Sequence, residues 1–248
     1  MGVRYPLWAS PYSAQATAAL KAQFPTQWPT IRDYGFAHPE IVPYVNQYPV
    51  GWGNIIVGFQ LCEYIQATGT QGIQLEVGAS TTAKIEYKIA FTEFRNGDRD
   101  WFVGNRQEQT NWLVGYYSGR NCHWGGSGYY YAGNLAVNQI VVQSIDFKND
   151  VLTADGNSTS IGNISPSTKG MMLFLGNGSS LGNGTKNKLY YLRSYEDDVE
   201  NCYVVPCYNK DNGKIGLYDV VNSRFYENAG SGTFLKGSDI YYPGQSPS

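Results

Sequence analysis

The stretch KLYYLRSYEDDVENCYVVPCYNKDNGKIGLYD, residues 188–219, decides the fold class of this sequence. Two of its segments, KLYYLRSY and CYVVPC, are rich in tyrosine, leucine and valine, as is typical of β-strands. The six residues between them, 196–201, are almost wholly polar, which favours a hairpin turn. Asn212-Gly213 then predicts a two-residue turn, followed by a strand that begins at Leu217-Tyr218. Residues 219–223 form the next expected turn. The stretch therefore predicts consecutive antiparallel strands.

The composition of the whole chain agrees with an all-β fold. Its 248 residues include 21 tyrosines and 29 glycines, and only 15% are charged. From about residue 58, more than ten short strand-like segments follow one another with no helical period between them. We therefore expect an antiparallel two-sheet sandwich or barrel. The formal net charge of −2 gives no electrostatic basis for binding nucleic acid or a membrane surface. No apolar run approaches the roughly 18 residues of a membrane span.

Individual segments make sharper predictions. TTAKIEYKIAFTEF, residues 81–94, alternates Ile85, Tyr87 and Ile89 with lysine and glutamate, which predicts a strand with one buried and one solvated face. GFQLCEYIQAT, residues 58–68, is expected to form a single strand. Further turns are predicted at Asn96-Gly97, Asp155-Gly156 and 182–184.

Residues 1–57 differ from the rest of the chain. SAQATAALKAQF, residues 13–24, predicts a short helix that Pro25 ends, and the proline-rich segment after it excludes regular helix or central strand. Its aromatic side chains favour an arm that lies along its own sandwich or along a neighbouring subunit of a homo-oligomer. The expected contact residues are Trp28, Tyr34, Phe36, Tyr44, Tyr48 and Trp52. The chain thus divides into an arm (1–57), a β-sandwich (58–240) and a C-terminal tail (241–248).

Two blocks of the sandwich region carry a resemblance. They are EYIQATGTQGI, residues 63–73, and the block from Lys188 to Gly237, which contains VPC, GKIGLYD and FYENAGSGTF. Together they resemble the concanavalin-A-like, LamG-type jelly-roll modules of gut bacterial and phage proteins. The resemblance covers about residues 60–238 and implies a jelly-roll sandwich closed by pairing of its first and last strands. Gly230 and Gly232 are expected to adopt positive φ before the final strand.

An acidic triplet raises the question of catalysis. Glu196, Asp198 and Glu200 occupy alternate positions, as in the catalytic strand of jelly-roll glucanases. On a strand the three carboxylates would share one face, and a retaining glycosidase needs two carboxyl groups about 5–5.5 Å apart. The strand-like flanks instead favour an acidic turn, and only Val199 offers an apolar neighbour that would raise the pKa of a carboxyl group. We therefore expect no enzymatic activity.

The segment GRNCHWGGSGYYYAGN, residues 119–134, is the candidate binding site. As a glycine-rich loop it would present aromatic rings to the C–H faces of a sugar, with amides for the hydroxyl groups, or it would contact another protein. In the alternative interpretation, Tyr129 and Tyr131 face the core from a strand and Trp124 packs beneath the loop. The candidate ligand contacts are Trp124, Tyr129, Tyr130, Tyr131, Asn121 and Asn134.

Other reactive residue types give weaker signals. The four cysteines show no C-x-x-C spacing, so reduced thiols are expected and no zinc set is predicted. There is no G-x-S-x-G motif, and the two histidines, His38 and His123, lie in unlike contexts, so nucleophilic catalysis has no support. The resemblance allows calcium at a sheet rim, but no dense oxygen-ligand loop is present and no cofactor is expected. The candidate calcium ligands are Asp211, Asp219, Asp98 and Asp100.

The functional expectation combines the resemblance with the arm. The sequence opens without the apolar stretch of a signal peptide, so we expect synthesis in a cytosol. A phage virion component, in head or tail, meets that expectation and still works outside the cell. Residues 1–57 would attach it to other virion proteins, and the sandwich would bind glycans or another host surface. The alternatives are a purely structural virion assembly protein and a bacterial surface carbohydrate-binding module.

Overall fold

The computed structural model describes residues 58–94, 99–105, 112–125, 128–162, 164, 166, 169–176 and 184–240. Seventeen strands in these ranges form two antiparallel sheets. The eleven-stranded sheet contains β1 (Phe59–Leu61), β2 (Ile65–Gln66), β4 (Ala83–Glu93), β9 (Val141–Asp146), β10 (Val151–Ala154), β11 (Asn157–Ser160), β13 (Lys186–Glu196), β14 (Val199–Asn209), β15 (Ile215–Asp219), β16 (Arg224–Tyr226) and β17 (Leu235–Lys236). The six-stranded sheet contains β3 (Ile73–Gln74), β5 (Asp100–Asn105), β6 (Trp112–Tyr117), β7 (Arg120–Gly125), β8 (Gly128–Asn134) and β12 (Met172–Gly176).

The strand orders place long-range neighbours side by side. The main path of the larger sheet runs β11-β10-β9-β4-β13-β14-β15-β16, with β1, β2 and β17 attached beside β13 and β14. The smaller sheet runs β3-β12-β5-β6-β7-β8. Strands β5 to β8 are therefore neighbours both in sequence and in space, which makes that half of the sheet a simple meander.

The main hydrophobic core lies between the two sheets. Along β4, Ile85, Tyr87 and Ile89 are fully buried, whereas the charged residues between them are half-exposed, as the alternation predicts. Tyr87 packs against Phe102 of β5, with 4.9 Å between their ring centroids. Each large side chain buried in this way stabilises the fold by about 1.5–3 kcal/mol. The prediction of an all-β chain is confirmed, and the two sheets pack face to face as a β-sandwich.

The hairpin between β13 and β14 turns on two residues. Asp197 and Asp198 have φ angles of 49° and 65°, and Glu196 pairs directly with Val199. Two consecutive residues at positive φ are the signature of a type I′ turn, whose twist matches that of the flanking strands. The predicted hairpin is confirmed, although the turn takes two residues rather than six.

Residues 58–68 form two strands, so the prediction of a single strand is wrong. β1 pairs with β14, whereas β2 pairs with β13 and β17. The cause lies in β14, where Pro206 has no N–H to donate to its neighbour. The N–H of Cys62 donates to the Pro206 carbonyl over 3.0 Å, and the ladder with β14 ends there. The chain then changes partner and pairs with the first half of β13.

The two ends of the sandwich meet, as the resemblance implied. β17 pairs with β2 in the register Leu235↔Gln66, and Cys62 forms an isolated bridge with Asp239. Gly232 has the expected positive φ, 71°. The expectation for Gly230 is wrong, because its φ is not positive. A Cβ at position 230 would instead overlap the carbonyl oxygen of Thr70, so glycine is needed there for close approach.

The remaining turns follow the predictions in part. Asp155 and Gly156 form the predicted two-residue turn between β10 and β11, with φ angles of 45° and 79°. Residues 210–214 connect β14 to β15, so the connection at Asn212-Gly213 is longer than predicted and β15 begins at Ile215. The arm 1–57 with its helix and six aromatic contacts, the Asn96-Gly97 turn, the 182–184 turn up to Asn183 and the tail 241–248 lie outside the described residues. Within the described ranges, no helix is long and apolar enough to cross a membrane.

Candidate functional site

Residues 120–125 and 128–134 form two paired strands, so the prediction of a glycine-rich loop is wrong. β7 and β8 pair in the register His123↔Tyr130 and Trp124↔Tyr129. Side chains on paired strands alternate between the two faces of a sheet. The candidate residues are therefore divided between the sandwich core and the outer face of the six-stranded sheet.

Two of the six candidate residues face the core and are not available to a ligand on the outer face. Asn121 is only 1% exposed, and its side-chain oxygen accepts a hydrogen bond from the Gln143 amide of β9 in the opposite sheet. Tyr130 packs against the main core and stacks on His123, with 5.9 Å between ring centroids. Asn121 thus connects the two sheets, and Tyr130 helps to cover a buried imidazole.

His123 is fully buried beneath Tyr130. Its ring lies 6.3 Å from that of Phe147, and neither ring nitrogen has a hydrogen-bond partner among the described residues. Burial lowers the pKa of His123 to about 3, because an imidazolium ion would lose its hydration without gaining a counter-charge. The histidine is therefore neutral over the physiological range. It belongs to the core, whereas the sequence predicted that it lies in a loop.

The outer face of the six-stranded sheet carries the remaining aromatic candidates. Register places Trp124, Tyr129 and Tyr131 on this face, together with Trp101 of β5 and Tyr117 of β6. We call these five side chains the aromatic platform. The Tyr117 and Tyr129 rings lie 5.1 Å apart, and Tyr117 and Tyr131 lie 6.3 Å apart. Trp101 stacks on Tyr129 at 6.5 Å with an interplanar angle of 12°.

A small buried cluster supports the platform from below. Leu113, Cys122, Met172 and Leu175 are at most 9% exposed, although they lie outside the main core. The tyrosines and Trp124 pack on this layer and remain half-exposed. Because their lower faces are packed, these rings are held in position with little side-chain entropy left to lose on binding. The predicted alternative, in which Tyr129 and Tyr131 face the core, does not agree with the observed register.

Two arginines lie over the platform. The Arg99 guanidinium carbon is 5.2 Å from the Tyr117 ring centroid and 5.0 Å from that of Tyr129. Arg120 lies 5.4 Å from the Tyr131 ring. Burial and the neighbouring cysteine and tyrosine hydroxyls raise the pKa of Tyr131, against the opposing effect of Arg120. The platform thus combines aromatic rings with two guanidinium groups. The last candidate, Asn134, is exposed beside it and pairs with Arg120 across the strands.

The acidic triplet does not form one site. The Glu196 carboxylate accepts hydrogen bonds from the hydroxyl groups of Ser80 and Thr82. Asp198 lies in the turn and pairs with Lys148 at 2.7 Å. Since Glu196 pairs with the core-facing Ala83 and Glu200 pairs with the outward-facing Tyr195, the two glutamates point to opposite faces. The shared face that a catalytic strand requires is absent from this hairpin.

A second polar cluster lies on the outer face of the eleven-stranded sheet. The Arg193 guanidinium is 4.2 Å from the Tyr203 ring centroid and 3.5 Å from the Glu200 carboxylate. The Tyr191 hydroxyl donates to Glu86 over 3.1 Å. Burial raises the pKa of Glu200, and Arg193 partly offsets that rise. Each charged group of this cluster is thus matched by a protein partner, which is the pattern of a structural network.

The described candidate calcium ligands and the four cysteines lie at structural positions of the fold. Asp219 is fully buried, and its carboxylate accepts hydrogen bonds from the backbone N–H groups of Tyr203, Val221 and Asn222 over 3.0–3.2 Å. Asp211 is exposed in the loop after β14, Asp100 is buried in β5, and Asp98 lies outside the described residues. In the part of the chain that the structure describes, no group of three or more potential ligands is arranged to hold a metal ion. The four cysteines are buried free thiols.

Known proteins add no family assignment. No family model matches this chain, and no curated protein is significantly similar to it. The class of protein that the fold defines is therefore an all-β, two-sheet antiparallel sandwich.

Sequence reasoning missed four residues at the site: Trp101, Tyr117, Arg99 and Arg120. They belong to other strands or lie at strand ends, so only the strand order brings them to the platform. One signal was present in the sequence. If residues 120–125 and 128–134 are treated as two paired antiparallel strands, Trp124 and Tyr129 become cross-strand neighbours.

Proposed function

We propose that this protein is a lectin-like, concanavalin-A-type jelly roll that binds saccharides on the aromatic platform. The observation that carries the proposal is the concentration of five aromatic side chains on one sheet face outside the main core, where Trp101 is buried and the other four rings are half-exposed. Half-exposed rings packed on a rigid sheet are suited to recognition, because the cost of ordering them is already met by the fold. The closure of the sandwich by β2 and β17, and the motifs from Lys188 to Gly237, support the jelly-roll assignment.

The chemistry of the platform suits a sugar ring. The negative face of an aromatic ring attracts the weakly positive C–H groups on one side of a pyranose, and burial of that side is favourable. The guanidinium groups of Arg99 and Arg120 lie beside the rings and carry N–H donors for ligand oxygens. The exposed Asn134 adds an amide at the same edge.

The proposed activity is binding without catalysis. Glu196, Asp198 and Glu200 are each engaged by a different partner and do not converge on the platform. A glycanase remains testable by measuring reducing sugar released from oligosaccharides, with Glu196→Gln as the variant. Release by the wild type that the variant abolishes would contradict the proposal.

The proposed setting is a phage virion, in which residues 1–57 attach the sandwich to other virion proteins. The resemblance to phage and gut bacterial modules and the proline- and aromatic-rich arm support this setting. Deletion of residues 2–57 should abolish incorporation into particles while the sandwich still folds. Incorporation without the arm would contradict the attachment role. The competing proposals are a purely structural virion protein and a bacterial surface module. Saccharide binding distinguishes our proposal from the purely structural protein, which would bind no saccharide.

A glycan array tests the binding function directly. The wild-type chain should retain saccharides, and Trp124→Ala or Tyr131→Ala should lower retention by about tenfold or more, as expected for the loss of a binding aromatic side chain. Tyr190→Ala is the matched control, since this half-exposed tyrosine lies in β13 of the other sheet, with Lys88 over its ring. Retention of no glycan by the wild type, or equal losses in all three variants, would refute the platform as the site.

A further inference from the structure

The four described arginines share one arrangement, in which the guanidinium group lies over a tyrosine ring. Arg193 lies over Tyr203 at 4.2 Å, and Arg224 lies over Tyr226 at 5.4 Å. Both of these arginines also have a carboxylate partner from the protein, which is Glu200 for Arg193 and Glu76 for Arg224. Two of the four described arginines therefore have both a tyrosine ring and a carboxylate beside the guanidinium group.

The two platform arginines have the tyrosines but no carboxylate partner among the described residues. Arg99 lies over Tyr117 and Tyr129, and Arg120 lies over Tyr131, at 5.0–5.4 Å. No carboxylate of the described residues forms an ion pair with either arginine. Besides Arg120 and its pairing partner Asn134, the described paired positions on this face carry apolar, aromatic, glycine and glutamine residues, and none of them is acidic.

We infer that the saccharide bound on the platform is an acidic one, whose carboxylate pairs with Arg99, Arg120 or both. The inference rests on the proposed saccharide-binding function and names the class of ligand. A guanidinium group presents a planar fork of N–H donors that matches a carboxylate, and the tyrosine beneath it keeps the fork oriented. The ligand thus supplies the carboxylate that the protein itself supplies to Arg193 and Arg224.

The placement of the charges agrees with a ligand that lies across the rings. Arg99 lies about equally far from the Tyr117 and Tyr129 rings, and Arg120 lies over Tyr131, so the two guanidinium groups lie over different tyrosine rings of the platform. A uronic or sialic acid unit would stack its ring on a tyrosine and direct its carboxylate to the neighbouring guanidinium. A neutral sugar would use the same rings and leave both charges without a partner.

The test compares saccharides that differ only in charge. Galacturonic acid oligomers and their methyl esters keep the same rings and linkages, and 3′-sialyllactose with its methyl ester provides a second pair. By calorimetry, the wild-type chain should bind each acid about tenfold or more tightly than its ester, as expected for a charge-assisted hydrogen bond. Raising NaCl from about 20 to about 300 mM should weaken binding of the acid more than binding of the ester.

Arginine variants locate the interaction. Arg99→Gln and Arg120→Gln should reduce the affinity for the acid by about tenfold in at least one case, and they should reduce the affinity for the ester by a clearly smaller factor, because the ester loses a neutral hydrogen bond and the acid loses a charge-assisted one. Arg224→Gln is the matched control, because it removes an arginine that lies over a tyrosine on the other sheet. It should bind both saccharides as the wild type does. Thermal unfolding of every variant checks that the fold is retained.

The possible results separate the inference from the proposed function. Equal affinities for acid and ester, with no effect of either arginine variant, would overturn the acidic ligand and leave saccharide binding intact. Binding of no saccharide, charged or neutral, would overturn the proposed function and the acidic ligand together. A preference for the acid that Arg224→Gln abolishes would place the ligand on the other sheet and overturn the inference.

Discussion

Acidification should destabilise this protein through His123. The imidazole is fully buried, its neighbours are aromatic and aliphatic, and burial alone lowers its pKa from 6.5 to about 3. Between these two pH values the unfolded chain binds a proton at His123 that the folded protein does not bind. The free energy of unfolding therefore falls as the pH falls from 6.5 towards 3.

The size of this effect follows from the two pKa values. Each pH unit below 6.5 lowers the free energy of unfolding by about 1.36 kcal/mol, as long as the imidazole of the folded protein stays neutral. At pH 4.5 the His123 contribution is therefore about 2.5 kcal/mol less favourable than at pH 7. The figure changes little for any folded-state pKa below about 4, because the folded imidazole is then almost wholly neutral at pH 4.5.

Urea unfolding at pH 7 and at pH 4.5 measures the effect, with His123→Gln as the variant. Glutamine stays neutral, so the loss of stability between the two pH values should be about 2.5 kcal/mol smaller in the variant than in the wild type. Comparison of the two pH dependences cancels the other titrating groups, including His38. Equal pH dependence in wild type and variant would refute the buried, neutral state of His123.

Three further substitutions test the fold. Asp198→Gly should be more stable than Asp198→Ala by about 0.5–1 kcal/mol in urea unfolding, because both variants lose the pair with Lys148 and only glycine adopts positive φ without strain; equal stability of the two variants would contradict the type I′ turn. Gly230→Ala should cost about 1–3 kcal/mol through overlap with the neighbouring backbone, whereas Gly58→Ala, with open space around it, should be nearly neutral. Asp219→Ala should cost about 3 kcal/mol, because the buried Tyr203 N–H and the partly buried Val221 N–H lose the carboxylate that accepts their hydrogen bonds. The exposed Asp211→Ala is its control, and equal stability of the two variants would refute that role.

The sequence predicted those parts of the fold that depend on local patterns. The alternation in β4 follows from one buried and one solvated face, and both are visible as apolar and charged residues. The polar residues between two strand-like flanks predicted the β13–β14 hairpin, but they did not reveal that Asp197 and Asp198 alone make the turn. Local chemistry determines that a turn forms, whereas its length depends on the register of the flanking strands.

Long-range contacts account for what the sequence did not predict. The break between β1 and β2 is caused by Pro206, a residue of β14 that lies far along the chain. Residues 120–134 looked like a loop because they contain many glycines and because both faces of β7 and β8 carry apolar or aromatic residues. Without a polar face, the sequence shows no alternation between buried and exposed positions. That Tyr130 faces the core while Tyr129 and Tyr131 face outward is therefore evident only from the pairing with β6.

The central claim is that saccharides bind on the outer face of the six-stranded sheet. A crystal structure of the protein with a galacturonic acid oligomer tests this claim most directly. We predict a sugar ring stacked on Tyr129 or Tyr131, with its carboxylate within hydrogen-bonding distance of Arg99 or Arg120. An oligomer bound around Arg193 on the eleven-stranded sheet, with the platform empty, would contradict the account.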